Sequence, residues 1–263
     1  MSEQRIHPQA IIDPKAKLAD DVTVGPWTFV GPNVEIGAGS VIGPHVILKG
    51  PTTIGKNNKI FQFASIGEDP QSLGVQDPTT RLEIGDDNIF REAVTIHRGT
   101  AEGAGVTKIG SHSMFMANAH VGHDSIVGDH VVFANNATIG GHVKIGHHVG
   151  LSGFTAVHQF VSIGEYAFIG RCSKVWQDIL PFVMVHGNPG RPCGLNLVGL
   201  QRNNFNAKDR ADIKRAFKII FLRGLSLKDA LGQLKEQVKQ TPIIEPMIHA
   251  IETTTRGISR GRK

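Results

Sequence analysis

Aliphatic residues recur every six positions along most of the first 175 residues. Counting from His7, the chain divides into hexads such as GPNVEI, GAGSVI and GPHVIL, each ending in Ile, Leu, Val or Phe. The pattern holds at 25 hexad-final positions, and glycine follows 14 of them. A period of six fits neither the helical repeat nor the alternation of a single long strand. It predicts short strands joined by tight corners, with the aliphatic residue pointing inward and glycine adopting the corner dihedral angles.

Three hexads make one coil of 18 residues, and successive coils pair as parallel strands roughly 4.8 Å apart. The repeat is typical of a mainly β fold, the left-handed parallel β-helix of hexapeptide repeats, which we predict over residues 1–190. Two interruptions, 67–84 and 97–109, are rich in Gly, Pro, Thr and Asp. We expect both to be loops projecting from the prism, where sites are often built.

Beyond residue 190 the hexads stop, and a C-terminal α-helical domain is predicted over 191–263. Its helix starts are marked by short polar motifs. These are Asn206 with Asp209 for a helix over 207–223, Ser226 with Asp229 for a helix to about Gln240, and Thr241 with Pro242 for a third helix.

Composition and charge narrow the class of protein. A membrane span needs about 18 consecutive apolar residues, and no apolar run in this sequence is that long. The first 14 residues lack the features of a secretory signal. Cys172 and Cys193 make no disulfide framework, so reduced thiols in the cytoplasm are expected. The net charge of +5 suits an acidic partner, such as a nucleic acid, a nucleotide or an acidic protein. The basic residues of the predicted helices form either an ordinary solvated surface or a landing surface for an acidic protein.

Five of the 13 histidines gather around the second interruption. They are His97, His120, His123, His142 and His158. The coil register places His97 beside Gly122 and His142 directly over Asp124, so a functional cluster along one prism edge is predicted.

A zinc site is the alternative interpretation of these histidines. His142 and His147 have the H-x4-H spacing seen in γ-class carbonic anhydrases. The register puts Gly99 where a third histidine ligand is needed, so a three-ligand site would have to use other positions. We therefore expect no metal.

Several longer motifs narrow the interpretation further. The segments IGEDPQ, TIHRGT, NAHVGHD, ANNATIGGHV, TAVHQF and GNP, with the helical C-terminus, resemble bacterial UDP-N-acetylglucosamine acyltransferases over essentially the full chain. The resemblance implies a homotrimer that moves a 3-hydroxyacyl chain from acyl carrier protein to the glucosamine 3-hydroxyl of UDP-N-acetylglucosamine in lipid A biosynthesis. It implies no metal, no nucleic-acid partner, and no cofactor beyond the phosphopantetheine that carries the donor.

The resemblance also assigns roles to residues. His123 is the general base, and the Gly141 N–H stabilises the oxyanion. Asp124, adjacent in sequence, is of the residue type that fixes an imidazole tautomer. The residues implied in substrate binding are His97, His120, His142, His158, Gln159 and Gln71 around the cleft, and Asn196 and Arg202 at the nucleotide.

The chain departs from the family pattern at several positions. Ser72 and Gly74 replace an Asp and a Lys of the first loop, and Val198 and Asn203 replace a Glu and an Arg of the nucleotide stretch. Arg171 stands at the acyl-chain ruler, where long-chain members have Gly, so a donor of about ten to twelve carbons is expected.

The sequence has three alternative interpretations, and the first of them stays open. A UDP-sugar with a 3-amino group would use the same base. The related lipid A N-acyltransferase carries an additional N-terminal domain, for which hexads starting at His7 leave no room. A purely structural prism subunit would not need a histidine cluster beside a glycine pair.

Overall fold

Hexads of the sequence form strands of two to four residues, and strands three hexads apart pair in parallel. The computed structural model describes residues 5–74, 77–238 and 241–260. Three sheets close a left-handed prism, so the predicted fold class is confirmed. We call the sheets faces I, II and III, and we name each prism edge by the two faces that it joins.

The chain visits the three faces in turn. Face I contains β1 (Ile11–Ile12), β4 (Phe29–Val30), β7 (Ile47–Leu48), β10 (Ser65–Glu68), β13 (Thr95–His97), β16 (His120–Val121), β19 (Thr138–Ile139), β22 (Ala156–Val157) and β25 (Lys174–Val175). Face II contains β2 (Lys17–Leu18), β5 (Val34–Ile36), β8 (Thr52–Ile54), β11 (Arg81–Ile84), β14 (Val106–Ile109), β17 (Ile126–Val127), β20 (Lys144–Ile145) and β23 (Ser162–Ile163). Face III contains β3 (Thr23–Val24), β6 (Val41–Ile42), β9 (Lys59–Ile60), β12 (Ile89–Phe90), β15 (Met114–Phe115), β18 (Val132–Phe133), β21 (Gly150–Leu151), β24 (Phe168–Ile169), β26 (Val183–His186) and β27 (Arg191–Leu195).

The hexad-final residues fill the inside of the prism. Phe90, Phe115 and Phe133 are fully buried and stack on one another, with ring centroids 5.0 and 4.9 Å apart. Burying a side chain of this size contributes about 1.5–3 kcal/mol. The repeat of inward aliphatic and aromatic side chains therefore makes one continuous core along the prism axis.

The glycines that follow the hexads act differently from the prediction. The positive φ angle lies two residues later and, apart from Gly39, is held by non-glycine residues, including Asp124 at 58° and His142 at 60°. Of the fourteen glycines, all in the described part of the chain, only Gly67 has a positive φ. A Cβ on Gly122 would lie 2.6 Å from the carbonyl carbon of Gly140. Glycine is therefore required because consecutive coils approach closely, and the prediction that it supplies the corner dihedral is wrong.

Both loops are shorter than the interruptions that predicted them. The last four residues of each interruption form a strand, β11 in the first and β14 in the second. These strands pair from Arg81 with Val106 to Ile84 with Ile109. The projecting segments are therefore 69–80 and 98–105, and residues 75 and 76 lie outside the described residues. RLEI and VTKI each end in an inward isoleucine, so they keep the strand pattern.

The change from prism to helices comes later than residue 190. Strand β27 pairs antiparallel with β26, so the predicted boundary falls in the turn of a hairpin. The helical elements are α1 (Leu197–Arg202), α2 (Ala207–Phe217) continued by a π-helical turn (Lys218–Leu222), α3 (Leu227–Val238), a 3-10 turn (Pro242–Ile244) and α4 (Glu245–Thr253). The short α1 was not predicted. Within the described ranges, no helix is long and apolar enough to cross a membrane.

The predicted helix starts at Asn206 and Ser226 are confirmed, whereas Pro242 opens the 3-10 turn that leads into α4 and not an α-helix. The side chain of Asn206 accepts a hydrogen bond from the Asp209 N–H at 2.9 Å, and Ser226 Oγ accepts one from the Asp229 N–H at 3.1 Å. Each bond satisfies an N–H that has no partner inside its helix. The predicted end of the second helix, near Gln240, lies outside the described residues.

Candidate active site

Edge I–II, where strands of face I turn onto face II, carries the predicted cluster. Ile96 pairs with Val121, which places His97 beside Gly122 as the register predicted. The His142 N–H donates to the His123 carbonyl at 2.8 Å, so these residues lie on consecutive coils. The insertion and the 18-residue coil together therefore bring residues distant in sequence to one edge.

His123 and Asp124 form a hydrogen-bonded pair at this edge. His123 Nδ1 lies 2.8 Å from Asp124 Oδ2, and the Asp124 side chain is completely buried. Burial raises the pKa of Asp124, but hydrogen bonds from Thr100 and His123 outweigh it and hold the pKa below its usual value. An ionised carboxylate only accepts, so His123 donates from Nδ1 and keeps a lone pair on Nε2. The geometry is that of a general base with its orienting carboxylate.

Two threonines, Thr100 in the second loop and Thr107 on β14, supply further hydrogen bonds to Asp124. Thr100 N–H lies 3.1 Å from both carboxylate oxygens, and Thr100 Oγ donates to Oδ2 at 2.6 Å. Thr107 Oγ accepts from the Asp124 N–H at 2.8 Å. Neither threonine was predicted as a site residue; the only signal for Thr100 in the sequence is a polar residue inside the second interruption.

Gly141 lies directly against the base. A Cβ on Gly141 would come within 2.6 Å of both Cε1 and Nε2 of His123. Among the described residues, the Gly141 N–H has no acceptor, whereas the Ser111 N–H at an equivalent corner of another edge donates to Asp129 at 2.7 Å. A free N–H next to the base is the feature that an oxyanion needs.

His97 and His120 extend the cluster onto face I. Their rings meet edge to face with centroids 5.2 Å apart, and His120 Nδ1 lies 2.8 Å from Thr95 Oγ. Burial, with the nearby charges of His97 and His123, lowers the pKa of His120 to about 4. Burial also lowers the pKa of His97, against the attraction of Glu68. Both imidazoles are thus favoured in their neutral form, in which each ring has one donor and one acceptor.

The first loop reaches the cluster through its backbone. The Gln71 N–H donates to His97 Nδ1 at 3.3 Å, so Gln71 is at the site as predicted. Ser72 Oγ accepts from the Gly74 N–H at 3.1 Å, and a Cβ on Gly74 would lie 2.9 Å from an Oε of Glu102. The two loops therefore approach each other beside the cluster, where Glu102 is a further residue that was not predicted.

The next coils complete the edge. His142 stacks on Phe160 with centroids 4.4 Å apart, and burial lowers the pKa of His142 although Asp124 acts in the opposite direction. His158 is partly buried, and its Nδ1 lies 3.0 Å from the Gln159 carbonyl oxygen. All predicted cleft residues therefore lie along edge I–II and the adjoining part of face I.

The H-x4-H pair does not form a common metal site. His147 lies on edge II–III, where it contacts Asp129 at 3.1 Å, whereas His142 is on edge I–II. A different set, His123, Asp124 and His142, has potential ligand atoms within 4.8 Å of one another. Asp124 Oδ2 in that set already accepts from Thr100 and His123. The absence of a metal stays a prediction.

Asn196 and Arg202 lie elsewhere. They line a cavity of about 780 Å³ on face III, together with Val132, Phe168 and Val198. Asn196 also caps α1, accepting from the Gly199 N–H at 3.0 Å. One chain therefore does not bring the predicted nucleotide residues to His123.

Arg171 occupies the third edge, III–I. Its side chain is exposed, one residue before Cys172, which holds the positive φ of that corner. The structure places it apart from edge I–II within one chain, and its ruler role stays a prediction.

Several known proteins are similar to this chain in sequence. A family model described as "Udp N-acetylglucosamine O-acyltransferase; Domain 2" matches residues 178–259, and a bacterial transferase hexapeptide model matches 106–141. A relative from Saccharophagus degradans is 50% identical over 255 residues, covering 97% of this chain and 99% of the relative. One from Stutzerimonas stutzeri is 46% identical over the same shares. Both relatives carry the name acyl-[acyl-carrier-protein]–UDP-N-acetylglucosamine O-acyltransferase.

Solved structures of acyltransferases are also similar to this chain. The UDP-N-acetylglucosamine O-acyltransferase of Moraxella catarrhalis is 43% identical, with a TM-score of 0.96 over 98% of this chain and 100% of that one. The Arabidopsis UDP-N-acetylglucosamine acyltransferase is 31% identical, with a TM-score of 0.82 over 97% of this chain and 99% of that one.

Proposed function

Because this chain belongs to the family of acyl-[acyl-carrier-protein]–UDP-N-acetylglucosamine O-acyltransferases, we propose that edge I–II is its active site and His123 its general base. The protein is an acyltransferase of the first step of lipid A biosynthesis, with UDP-N-acetylglucosamine as acceptor. The observation that carries the proposal is the pairing of His123 Nδ1 with the buried, ionised Asp124.

The proposed reaction begins with proton transfer. His123 Nε2 accepts the proton of the glucosamine 3-hydroxyl while the hydroxyl oxygen attacks the thioester carbon of the 3-hydroxyacyl donor. The carbonyl electron pair moves to oxygen, and the Gly141 N–H donates to this oxyanion. When the carbonyl re-forms, the carbon–sulfur bond breaks, and the phosphopantetheine sulfur takes the proton from the His123 imidazolium. No cofactor other than the phosphopantetheine of acyl carrier protein is needed.

Asp124 acts on the base in two ways. Its hydrogen bond with Nδ1 favours the tautomer that has a lone pair on Nε2, and its negative charge stabilises the imidazolium once the proton has moved. His97 and His120, whose pKa values are lowered mainly by burial, are suited to hydrogen bonding with substrate groups rather than to carrying charge.

The homotrimer is part of the same proposal, and the polarity of the faces supports it. The outward residues of face II are mainly charged or polar, among them Lys17, Glu35, Glu83, Lys108 and Lys144. Those of faces I and III include Ile11, Phe29, Ile47, Val41, Val132 and Phe168. Edge III–I between these faces exposes Trp27, Phe63 and Phe154. A surface this apolar favours contact with another protein surface.

A closed trimer with edge III–I near its axis would cover both apolar faces. Face III of one subunit would then oppose face I of the next, which closes a cyclic assembly. In that arrangement the cavity with Asn196 and Arg202 faces the His123 edge of a neighbouring subunit. This explains why the nucleotide residues and the base lie on different faces of one chain.

Acyl carrier protein is the proposed macromolecular partner, at the basic surface of α1 and α2. Arg210 and Lys214 line a small depression there with Gln201. Lys208 and Arg215 are in ion pairs with the buried Asp212, at 3.2 and 3.0 Å, so Arg210 and Lys214 are better suited to an acidic partner.

We place the enzyme in the cytoplasm as part of the proposal. Cys172 and Cys193 are both free and exposed, as expected in a reducing compartment.

Product analysis tests the proposed function. The purified enzyme is given UDP-N-acetylglucosamine, or the analogue with a 3-amino group, and a series of 3-hydroxyacyl carrier-protein thioesters. Mass spectrometry should detect an ester on the 3-oxygen of the first acceptor. Exclusive formation of an amide on the 3-amino analogue would contradict the proposed acceptor, and no acylated sugar with any donor would contradict the proposal as a whole.

A further inference from the structure

We propose that Thr100, in the second loop, is a positioning residue that directs the Asp124 carboxylate to His123. This inference deepens the proposed function and rests on it. Thr100 is 5% exposed and has no route to the substrate through its own side chain, whose hydroxyl is occupied by Asp124.

Asp124 has two imidazole neighbours, and Thr100 distinguishes between them. Oδ2 lies 2.8 Å from His123 Nδ1 but 3.8 Å from His142 Nε2. Thr100 Oγ donates to the same Oδ2 at 2.6 Å, while the Thr100 N–H is shared by both oxygens at 3.1 Å. Of the two donors of Thr100, only the hydroxyl contacts Oδ2 alone, so it fixes the oxygen that accepts from His123 Nδ1.

The loop around Thr100 packs closely against the Asp124 carboxylate. A Cβ on Gly103 would lie 2.5 Å from Asp124 Cγ and from one of its oxygens, so the loop backbone packs directly on the carboxylate. The Thr100 carbonyl also accepts from the N–H groups of Gly103 and Gly105, at 3.2 Å each. The turn that presents Thr100 is therefore closed by its own hydrogen bonds.

Loss of the hydroxyl should change the chemistry of His123. The carboxylate would keep the Thr100 N–H but could rotate toward His142, which would leave His123 Nδ1 without a fixed acceptor. The tautomer with a lone pair on Nε2 would then no longer be favoured. We expect kcat to fall on the order of tenfold. This is much less than the loss of about 10⁴-fold in a serine protease whose catalytic histidine is held in the wrong tautomer.

The test uses three substitutions. Thr100→Val removes the hydroxyl at nearly constant volume, Thr100→Ser restores it, and Thr53→Val is a matched control on the exposed surface of face II. We expect Thr100→Val to lower kcat with little change in KM for either substrate, and Thr100→Ser and Thr53→Val to keep kcat. Equal kcat in Thr100→Val and the wild type would overturn the proposal. If Thr100→Val does not fold, it is replaced by Thr100→Ala, which removes the hydroxyl without placing a branched apolar side chain in the loop.

A second measurement does not depend on turnover. Nitrogen-15 NMR of the His123 ring, in its neutral form, reports which nitrogen carries the proton. We expect a proton on Nδ1 in the wild type and in Thr100→Ser, and a mixture of tautomers in Thr100→Val. An unchanged tautomer in Thr100→Val would overturn the positioning role of Thr100. The role of His123 as the general base is tested separately by His123→Ala. If the wild type acylates no UDP-sugar, the proposed function fails, but the tautomer still decides the role of Thr100.

Discussion

The imidazole of His123 packs against the α-carbon of Gly141, so closely that one added methyl group would lie 2.6 Å from Cε1 and Nε2. This contact explains why the second glycine of the IGGHV motif is needed, whatever its N–H does in the reaction. The base and the proposed oxyanion donor are therefore in direct contact across two consecutive coils.

Gly141→Ala should lower kcat by about 10²-fold or more, because the new methyl group displaces the imidazole while the N–H remains. Steady-state kinetics and a thermal melt would measure the effect. Gly232→Ala is the control, because a Cβ there meets nothing within 4 Å. Full activity in Gly141→Ala would mean that the base does not need its present position.

His123→Ala should remove nearly all turnover, by about 10²–10⁴-fold, as expected for loss of a general base. The assembly and the melting temperature should persist because the ring lies at the edge of the prism, outside its core, and Thr100 still donates to Asp124. The matched control is His249→Ala, an exposed histidine on α4. Retention of more than about a tenth of wild-type kcat would move the base elsewhere, with His142 the next candidate.

The assembly can be tested by charging one face. Val132 on face III and Ile126 on face II are similarly exposed, at 40% and 43%. Val132→Glu should convert the trimer into smaller species because it buries a charge in the proposed interface, whereas Ile126→Glu should leave the trimer intact. Light scattering at assay concentrations gives the mass of each. A monomeric wild type, or equal behaviour of the two variants, would contradict the proposed arrangement.

His120 should remain neutral far below the usual range of histidine. Burial and the charges of His97 and His123 lower its pKa from 6.5 to about 4, so the folded protein binds fewer protons than the unfolded chain between these values. The stability that comes from the neutral ring is complete above pH 6.5 and is lost as the pH falls toward 4.

NMR titration of the His120 ring, assigned with the His120→Gln variant, measures that pKa directly. The same variant should show a weaker fall in the free energy of unfolding over this pH range. Titration of the ring near 6.5 would show that His120 is more hydrated than its burial implies.

Arg171 should limit the acyl chain. Each methylene that the groove accepts contributes about 0.8 kcal/mol, and a long side chain in the groove removes that contribution. We expect a preference for 3-hydroxyacyl donors of about ten to twelve carbons, shifted to longer chains in Arg171→Gly. The measurement is kcat/KM for donors of about ten and fourteen carbons, with the wild type and with Arg171→Gly. A wild-type preference for the longer donor, unchanged by the substitution, would exclude Arg171 as the ruler.

The sequence by itself determined the prism, its coil register and the edge that carries the histidines. A strict six-residue repeat leaves only one way to point every aliphatic residue inward, so counting residues was enough to place His142 over Asp124. Local capping motifs likewise determined the helix starts at Asn206 and Ser226, because each bond joins residues three apart.

Only the tertiary structure decided what the irregular segments do. The interruptions have no period, so nothing in their spacing shows that Thr100 reaches Asp124 or that Gln71 reaches His97. The structure also separated Asn196 and Arg202 from His123, because the hairpin after residue 183 returns the chain to face III. It gave the corner glycines their actual role as well, since the approach of one coil to the next depends on residues 18 positions apart and not on the local dihedral angle.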